Sequence, residues 1–383
     1  MITGSKELIR DINSRLVLET IINHGPISRA SIASTLGLTK ATISTIVNDL
    51  IEKHLVEEIG SDDTSLGRKP ILLNFCANSG HILSIDLGVE YIYVLSSDLH
   101  ATNCSLKQYP NEYDADTIID GLKNIITQTI EALEKTIFGV VEICIGIHGV
   151  VHENQATFTP YYAYENLPFS KILEEHFKIP VLLENEANLS IISEKAFCYN
   201  SSDIIGISVH SGLGIGIIID DKLYTGYNGN AGEFGHSIVV VGGRPCPCGN
   251  KGCLEQYASE RAILNDYASK VGLTSIDIDF FIQRYLEKEP AAVDMIGQFI
   301  RYMSVGINNL LNTFNPEVIV INSVFTMNLP DVIPKIQASL SNRMSNHCIL
   351  VPSGLQDSSI LLGGVCVCIK HFLGIHSLSL KTE

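Results

Sequence analysis

The sequence predicts an α/β protein: an N-terminal winged helix-turn-helix followed by a two-lobed body. Three observations carry that prediction. The first 75 residues hold three apolar stripes at helical spacing, separated by tight-turn residues. From His81 onward, apolar β-rich runs alternate with helical stretches, the pattern of mixed or parallel sheets. Two strand-rich blocks, beginning near Ile82 and Ile204, each carry a glycine-containing turn after an apolar strand. Such doubling points to two lobes and a ligand cleft between them.

Leu8, Ile9, Ile12, Leu16, Val17 and Ile21 form the apolar face of a first helix, which Gly25 and Pro26 stop. Ser28 caps a short second helix carrying Ile32, Ala33 and Leu36, and Gly37 makes the turn. Thr39 caps a third helix with Ile43, Ile46, Val47 and Leu50 inward. His54 falls where the turn after that helix often carries glycine, and histidine tolerates positive φ better than bulky residues do. Leu55 to Ile59 and Pro70 to Phe75 bracket the polar run GSDDTSLGRK as a β-hairpin, the wing. In the body, ILSIDLG, YIYVLSSDL, VEICIGIHGVV, IPVLLEN, IIGISVHSGLGIGIIID and VIVINSV are the strand signals. The expected domains are 1–75 for the head, 76–184 for a first lobe completed by about 356–383, and 185–355 for a second lobe.

Composition bounds the function classes. The chain has 383 residues, 45% hydrophobic and 18% charged, which excludes a disordered chain, and none of its apolar runs comes near the ~18 residues a membrane span needs. The start MITGSKELIRDINSR has no apolar signal region, so the expected location is the cytoplasm. The net charge of −16 is uneven. Residues 1–74 carry 8 Lys+Arg against 9 Asp+Glu, net −1, and the remainder 18 against 33, net −15. A nearly neutral head on an acidic body leaves only the head able to approach DNA phosphates.

In a helix-turn-helix, the exposed N-terminal residues of the second helix of the motif reach base edges while flanking groups hold phosphate. Those positions are Thr39, Lys40, Thr42, Ser44, Thr45 and Asn48, with Arg29 beside them, and their face is free of carboxylates until Asp49. Few of these side chains read a base bidentately, so specificity calls for a dimer on an inverted repeat. Arg68 and Lys69, at the wing tip, are candidates for minor groove or backbone. A protein-binding winged helix is the plainer alternative.

Ten cysteines divide into seven scattered ones, read as small buried hydrophobes, and a cluster of three. GEFGHSIVVVGGRPCPCGNKGCLEQ supplies His236, Cys246, Cys248 and Cys253 within eighteen residues. Three thiolates and an imidazole suit tetrahedral Zn²⁺, and Gly243, Gly249 and Gly252 let the loop fold back on the ion. Four protein ligands leave no open position, so the zinc is structural and orients Glu233 and Glu255.

The GRKP run at Gly67 to Pro70, DLG at Asp86, SGLGIG at Ser211 to Gly216, GEFGH and CPCGNKGCLE together resemble the ROK family of repressors and sugar kinases, and within it the xylose-repressor-like regulators. The resemblance covers essentially the whole chain. It implies an actin-like, sugar-kinase-like body, a homodimer or dimer of dimers, and a monosaccharide held by Asn185, Glu186, Glu233, His236 and Glu255. It also exposes two departures. The family's kinases carry Asn-Asp-Ala-Asn with the Asp as general base, whereas this chain has Asn185-Glu186-Ala187-Asn188. Their first phosphate loop resembles D-x-G-G-T, whereas this chain has Asp86-Leu87-Gly88-Val89-Glu90, which sets a carboxylate where polyphosphate would lie. The expected function is therefore a non-enzymatic, sugar-responsive repressor, with xylose as the expected sugar. The rivals are a protein-binding regulator or antirepressor, and a sugar kinase. Tyr161, Tyr162 and Tyr164 line a cleft or pack; packing is expected for at least two.

Overall fold

The computed structural model describes residues 6–61, 70–160, 162–340 and 347–380. The head begins with α1 (Lys6–His24), β1 (Ile27–Ser28), α2 (Arg29–Leu36) and α3 (Lys40–Glu52). Ser28 accepts from the Ser31 amide to cap α2, Gly37 closes it at φ 65°, and Thr39 accepts from the Thr42 amide to cap α3. Ile43, Ile46, Val47 and Leu50 are at most 3% exposed, as the spacing requires. His54 takes the left-handed conformation at φ 58°. The wing strands β2 (Val56–Ser61) and β3 (Ile71–Phe75) pair antiparallel, and β1 adds to β3 through Ile27 opposite Leu73. That two-residue β1 had no signal in the sequence, since so short a strand shows no alternation.

One expectation fails along α1. Leu8, Ile9, Ile12 and Leu16 are 48, 53, 48 and 39% exposed, while Val17, Leu18, Ile21 and Ile22 are buried. A helix of 19 residues is about 28 Å long, and the eight-residue α2 and thirteen-residue α3 cover only part of it.

Beyond the head the chain forms β4 (His81–Leu87), β5 (Tyr91–Asp98), β6 (Ser105–Pro110), α4 (Ile118–Ala132), β7 (Val140–Ile147), β8 (Val150–His152), β9 (Gln155–Phe158), α5 (Phe169–Phe177) and β10 (Val181–Asn185). Then follow α6 (Glu186–Phe197), β11 (Ile204–Val209), β12 (Leu213–Ile219), β13 (Lys222–Leu223), α7 (Glu255–Ala258), α8 (Glu260–Val271), α9 (Ile278–Leu286) and α10 (Pro290–Phe314). The chain closes with β14 (Val318–Asn322), α11 (Val324–Asn328), α12 (Val332–Ser339), β15 (Ile349–Pro352) and α13 (Ser359–Leu373). Two five-stranded mixed sheets result, ordered β10-β7-β4-β5-β6 and β13-β12-β11-β14-β15. β4 pairs in parallel with β7, β11 with β14, and β14 with β15.

Two compact units divide the chain. One holds the chain up to His148, Glu153–Glu184 and the chain from Gly364 onward; the other holds Gly149–His152 and Asn185–Gly363. The core of the second unit joins Ile205, Ile207 and Ile319 on the sheet to Phe281, Phe299 and Phe325 on the helices. Glycine permits one close approach there. A Cβ at Gly216 of β12 would lie 2.4 Å from the Ala187 carbonyl oxygen and 2.5 Å from Ile191 Cγ2, so α6 lies directly on the strand.

All ten cysteines are free thiols. Cys144, Cys366 and Cys368 are fully buried, but Cys104 is exposed, against the expectation of a buried apolar role for every scattered cysteine. Burial pushes the Cys366 thiol up to about 12, which leaves it inert at neutral pH. No helix among the described residues is long and apolar enough to cross a membrane.

Candidate functional site

On the head, Thr39, Lys40, Thr45 and Asn48 are exposed along α3, and Thr42 and Ser44 are half-buried. The hydroxyls are largely committed locally. Thr39 Oγ1 lies 2.9 Å from Thr42 Oγ1, and Thr45 donates to the Ala41 carbonyl at 3.1 Å. Arg29 is tied within the head rather than extended from it: its Nη2 lies 2.8 Å from Glu58 on β2 and 3.5 Å from Asn48 Oδ1. It braces α3 against the wing. Asp49, the first carboxylate on the α3 face, is paired with Arg10 of α1. Arg68 and Lys69 lie outside the described residues.

In the second unit, the stretch after β13 leads to a short 3-10 turn, Phe234–His236, and then to the cysteine loop. The backbone just before that turn lies along the stretch of β12 that the two-residue β13 leaves open, with the Ile215 amide donating to the Gly232 carbonyl at 3.0 Å. Glycine at 252 is obligatory: φ is +90°, and a Cβ would stand 1.7 Å from the Val240 carbonyl oxygen. The loop so folded brings one ligand atom each from His236, Cys246, Cys248 and Cys253 within 4.8 Å of one another. Cys248 Sγ and Cys253 Sγ are 3.7 Å apart, and Cys246 Sγ is 3.5 Å from His236 Nδ1. Sulfur and nitrogen ligands of a tetrahedral zinc ion stand about 3.5 to 3.8 Å from each other, so the donor set fits such an ion.

The surrounding carboxylates follow from this loop. His236 turns Nδ1 into the cluster and Nε2 toward Glu233 Oε2, at 3.5 Å. Glu233 is half-buried, and burial pushes its carboxyl above the usual range, against the nearby His236 and with the help of Glu255. Glu255, 5% exposed at the start of α7, lies 3.3 Å from Cys246 Sγ. Asn185 caps α6: its Oδ1 accepts from the Ala187 and Asn188 amides, and its Nδ2 donates to Gly149 O at 2.9 Å and to Glu186 Oε2 at 2.6 Å. The amide of Asn185 is thus spent on orienting backbone and carboxylate. Glu186 lies beside β12, where a Cβ at Gly214 would be 3.5 Å from Glu186 Oε1.

With this geometry described, comparison with known proteins identifies the chain's relatives. Residues 82–370 match the ROK family, and residues 13–64 match the MarR family. The chain belongs to the ROK family. It is 34% identical to the xylose repressor of Bacillus spizizenii, over 97% of this chain and 98% of that protein. It is 29% identical to the DNA-binding transcriptional dual regulator NagC of Escherichia coli, over 89% and 87%. Among solved structures, a ROK family transcriptional regulator described as a homolog of E. coli MLC aligns with TM-score 0.84 at 28% identity, covering 95% of this chain and 96% of that one. The body is the ROK actin-like, sugar-kinase-like fold, and the head is a MarR-like winged helix.

The two glycine-containing turns singled out in the sequence are now placed. At the end of β4, Asp86 Oδ1 lies 2.8 Å from His148 Nε2, and the turn beyond exposes Val89 and Glu90. The glycines of SGLGIG at 214 and 216 face α6, and at Gly216 the approach is a packing contact. Tyr164 is 2% exposed, donates to Tyr113 O at 2.8 Å and stacks on Tyr162 at 4.5 Å, so both pack; Tyr161 lies outside the described residues.

Several supporting residues carried no sequence signal. Gln256 Nε2 donates to Cys246 Sγ at 3.6 Å and Glu255 Oε1 at 3.0 Å. Arg244 donates to Asp266 Oδ2 and Gln256 O, both at 2.8 Å, and its guanidinium lies 4.7 Å from the Tyr257 ring centre. This clamp ties the cysteine loop to α7 and α8. Only the folded loop brings these residues together, so no spacing rule finds them.

Proposed function

We propose that this ROK protein is a sugar-responsive transcriptional repressor without kinase activity, acting as a homodimer on an inverted-repeat operator and answering to a monosaccharide, xylose first among the candidates. The observation that carries the reading is the union, in one chain, of a carboxylate-poor α3 face with a ROK body similar over its full length to xylose repressors. In this reading Lys40, Ser44, Thr45 and Asn48 meet DNA, Thr39 and Thr42 hold the cap, and Arg29 positions Asn48 and the wing. Arg68 and Lys69 add contacts to the minor groove or the backbone.

The sugar is assigned to Glu186, Glu233, His236 Nε2 and Glu255, with Asn185 orienting Glu186. Carboxylates and an imidazole N–H pair with adjacent hydroxyls in a partly desolvated site. Zn²⁺, held by His236 Nδ1, Cys246, Cys248 and Cys253, fixes the loop; with Nδ1 on the metal, the hydrogen sits on Nε2 and points at Glu233. The longer side chain at Glu186 and the exposed Glu90 at the first phosphate loop support the absence of phosphoryl transfer.

The test is binding of the purified protein to labelled DNA from upstream of its own gene, with and without a monosaccharide panel containing xylose. Sequence-specific binding released by one sugar is expected. Turnover of ATP with a sugar, abolished by Glu186→Gln, would overturn the non-enzymatic reading. Absence of specific DNA binding at low salt, with co-purification of a regulator, would favour the protein-binding alternative.

A further inference from the structure

α13 begins at Ser359, in the unit that carries Glu186, Glu233 and Glu255, and ends at Leu373, in the unit that carries the head. Each end is fixed by contacts within its own unit. At the start, Ser359 Oγ lies 3.0 Å from Ser190 Oγ and accepts from Asn322 Nδ2 at 3.1 Å, and the Ser193 hydroxyl donates to the Ser359 carbonyl at 2.7 Å. Gly363 rests on the Leu189 carbonyl, where a Cβ would come within 2.0 Å. Leu189, Ser190 and Ser193 belong to α6, the helix that Asn185 caps and Glu186 begins. Buried hydroxyl contacts of this kind admit one arrangement of the two helices. At the far end, Gly364 lies against Ser84 of β4, and His371 pairs with the buried Glu142 of β7 at 2.5 Å.

After Leu373 the chain turns at Gly374, φ 64°, and is held along α1. Glu19 Oε2 accepts from the His376 amide at 2.8 Å and the Ser377 amide at 3.0 Å. Asn23 donates to the Ser377 carbonyl at 3.3 Å and accepts from the Ser379 amide at 2.9 Å. Residues four apart share one helix face, so Glu19 and Asn23 act as two clasps in a row. Ile375, Leu378 and Leu380 are at most 9% exposed beneath them. Nearer its N-terminus, α1 reaches α3 through Arg10 and Asp49.

We propose that residues 374–380 are a strap that transmits the state of the sugar site to the DNA-reading helix, along α6, α13, the strap and α1. α6 meets α13 through buried hydroxyls, α13 runs on into the strap, and the strap is hydrogen-bonded to α1, so a displacement of one element is passed to the next. The inference rests on the repressor reading and adds the route by which the two ligands affect each other.

The experiment compares the unaltered protein with Glu19→Ala/Asn23→Ala and with Glu19→Gln, whose side-chain oxygen still accepts from both amides. Three quantities are measured: amide exchange at His376, Ser377 and Ser379; affinity for D-xylose by calorimetry; and the ratio of affinities for the upstream DNA without and with D-xylose. In the double variant the three amides exchange at least tenfold faster, xylose affinity stays within twofold, and the DNA ratio falls toward 1. Glu19→Gln keeps the ratio. An unchanged ratio despite faster exchange overturns the strap and leaves the repressor reading intact, as does rapid exchange of these amides in the unaltered protein. A ratio of 1 in the unaltered protein with xylose and every other sugar of the panel overturns the repressor reading, and the strap's regulatory role falls with it.

Discussion

Replacing Gly216 with alanine separates packing from ligand binding as the reason for the glycine-rich strand. The added Cβ would meet the Ala187 carbonyl oxygen at 2.4 Å and Ile191 Cγ2 at 2.5 Å, and the oxygen belongs to the first turn of α6 and cannot swing away. Overpacking of this kind costs about 1–3 kcal/mol, partly offset by the ~0.5–1 kcal/mol that alanine gains over glycine within a strand. The net loss is about 0–2.5 kcal/mol, and the two contacts closer than 3.0 Å put it toward the upper end. Gly214 is the internal control, because its Cβ would find nothing nearer than Ala187 Cβ at 3.4 Å; Gly214→Ala is therefore expected to be neutral or slightly stabilising. Thermal unfolding followed by circular dichroism reads the difference, at about 2–4 °C per kcal/mol for a unit of this size. Because α6 starts at Glu186, Gly216→Ala also shifts that carboxylate and weakens sugar affinity. Equal midpoints for the two variants, or a larger loss at Gly214, would refute the packing argument.

Other outcomes follow from the same structure. Cys253→Ser, or exhaustive chelation, removes bound zinc and lowers both the melting midpoint and sugar affinity; full zinc content by elemental analysis in the variant would remove Cys253 from the ligand set. Burial raises the Glu142 carboxyl from 4.5 to about 7, against the pull of His371. The folded state therefore holds its proton to higher pH than the unfolded chain, so this group's stabilisation is complete below about 4.5 and is lost as pH rises through 7. Glu142→Gln flattens stability over that window, and a denaturation series from pH 4 to 8 that keeps its slope would sink the assignment. Thr39→Ala removes the α3 cap and costs about 1 kcal/mol of head stability. Lys40→Ala weakens binding to all DNA sequences alike and reduces the salt slope by about 1; a sequence-selective loss would make it a base reader instead.

Local chemistry made much of this protein legible in its sequence. Ser28, Gly37 and Thr39 delimit the head's helices because caps and left-handed turns depend on one or two residues. The Cys3His spacing announced the donor cluster because all four donors lie within eighteen residues, so a short loop with well-placed glycines closes it alone. The identity of β4, β5, β7, β10, β11, β12 and β14 followed from apolar runs too short for helices, whereas β6, β9, β13 and β15 had no such run in the sequence reading. Which edge each strand takes, and the two-residue β1, did not follow, because pairing is decided between residues far apart in the chain.

The sequence by itself determined that the chain is a winged helix on an α/β body, that it carries a zinc-type donor set, and which glutamates flank that set. Tertiary structure alone decided what those residues face. It turned Arg29 inward to Glu58, paired Asp49 with Arg10, committed the Asn185 amide to the α6 cap, and left the first half of the α1 apolar stripe exposed. It also brought residues 376–379 onto Glu19 and Asn23, some 355 positions away. Propensity, capping and metal spacing are short-range and written in neighbouring letters, whereas a side chain's partner is set by which distant surface arrives beside it.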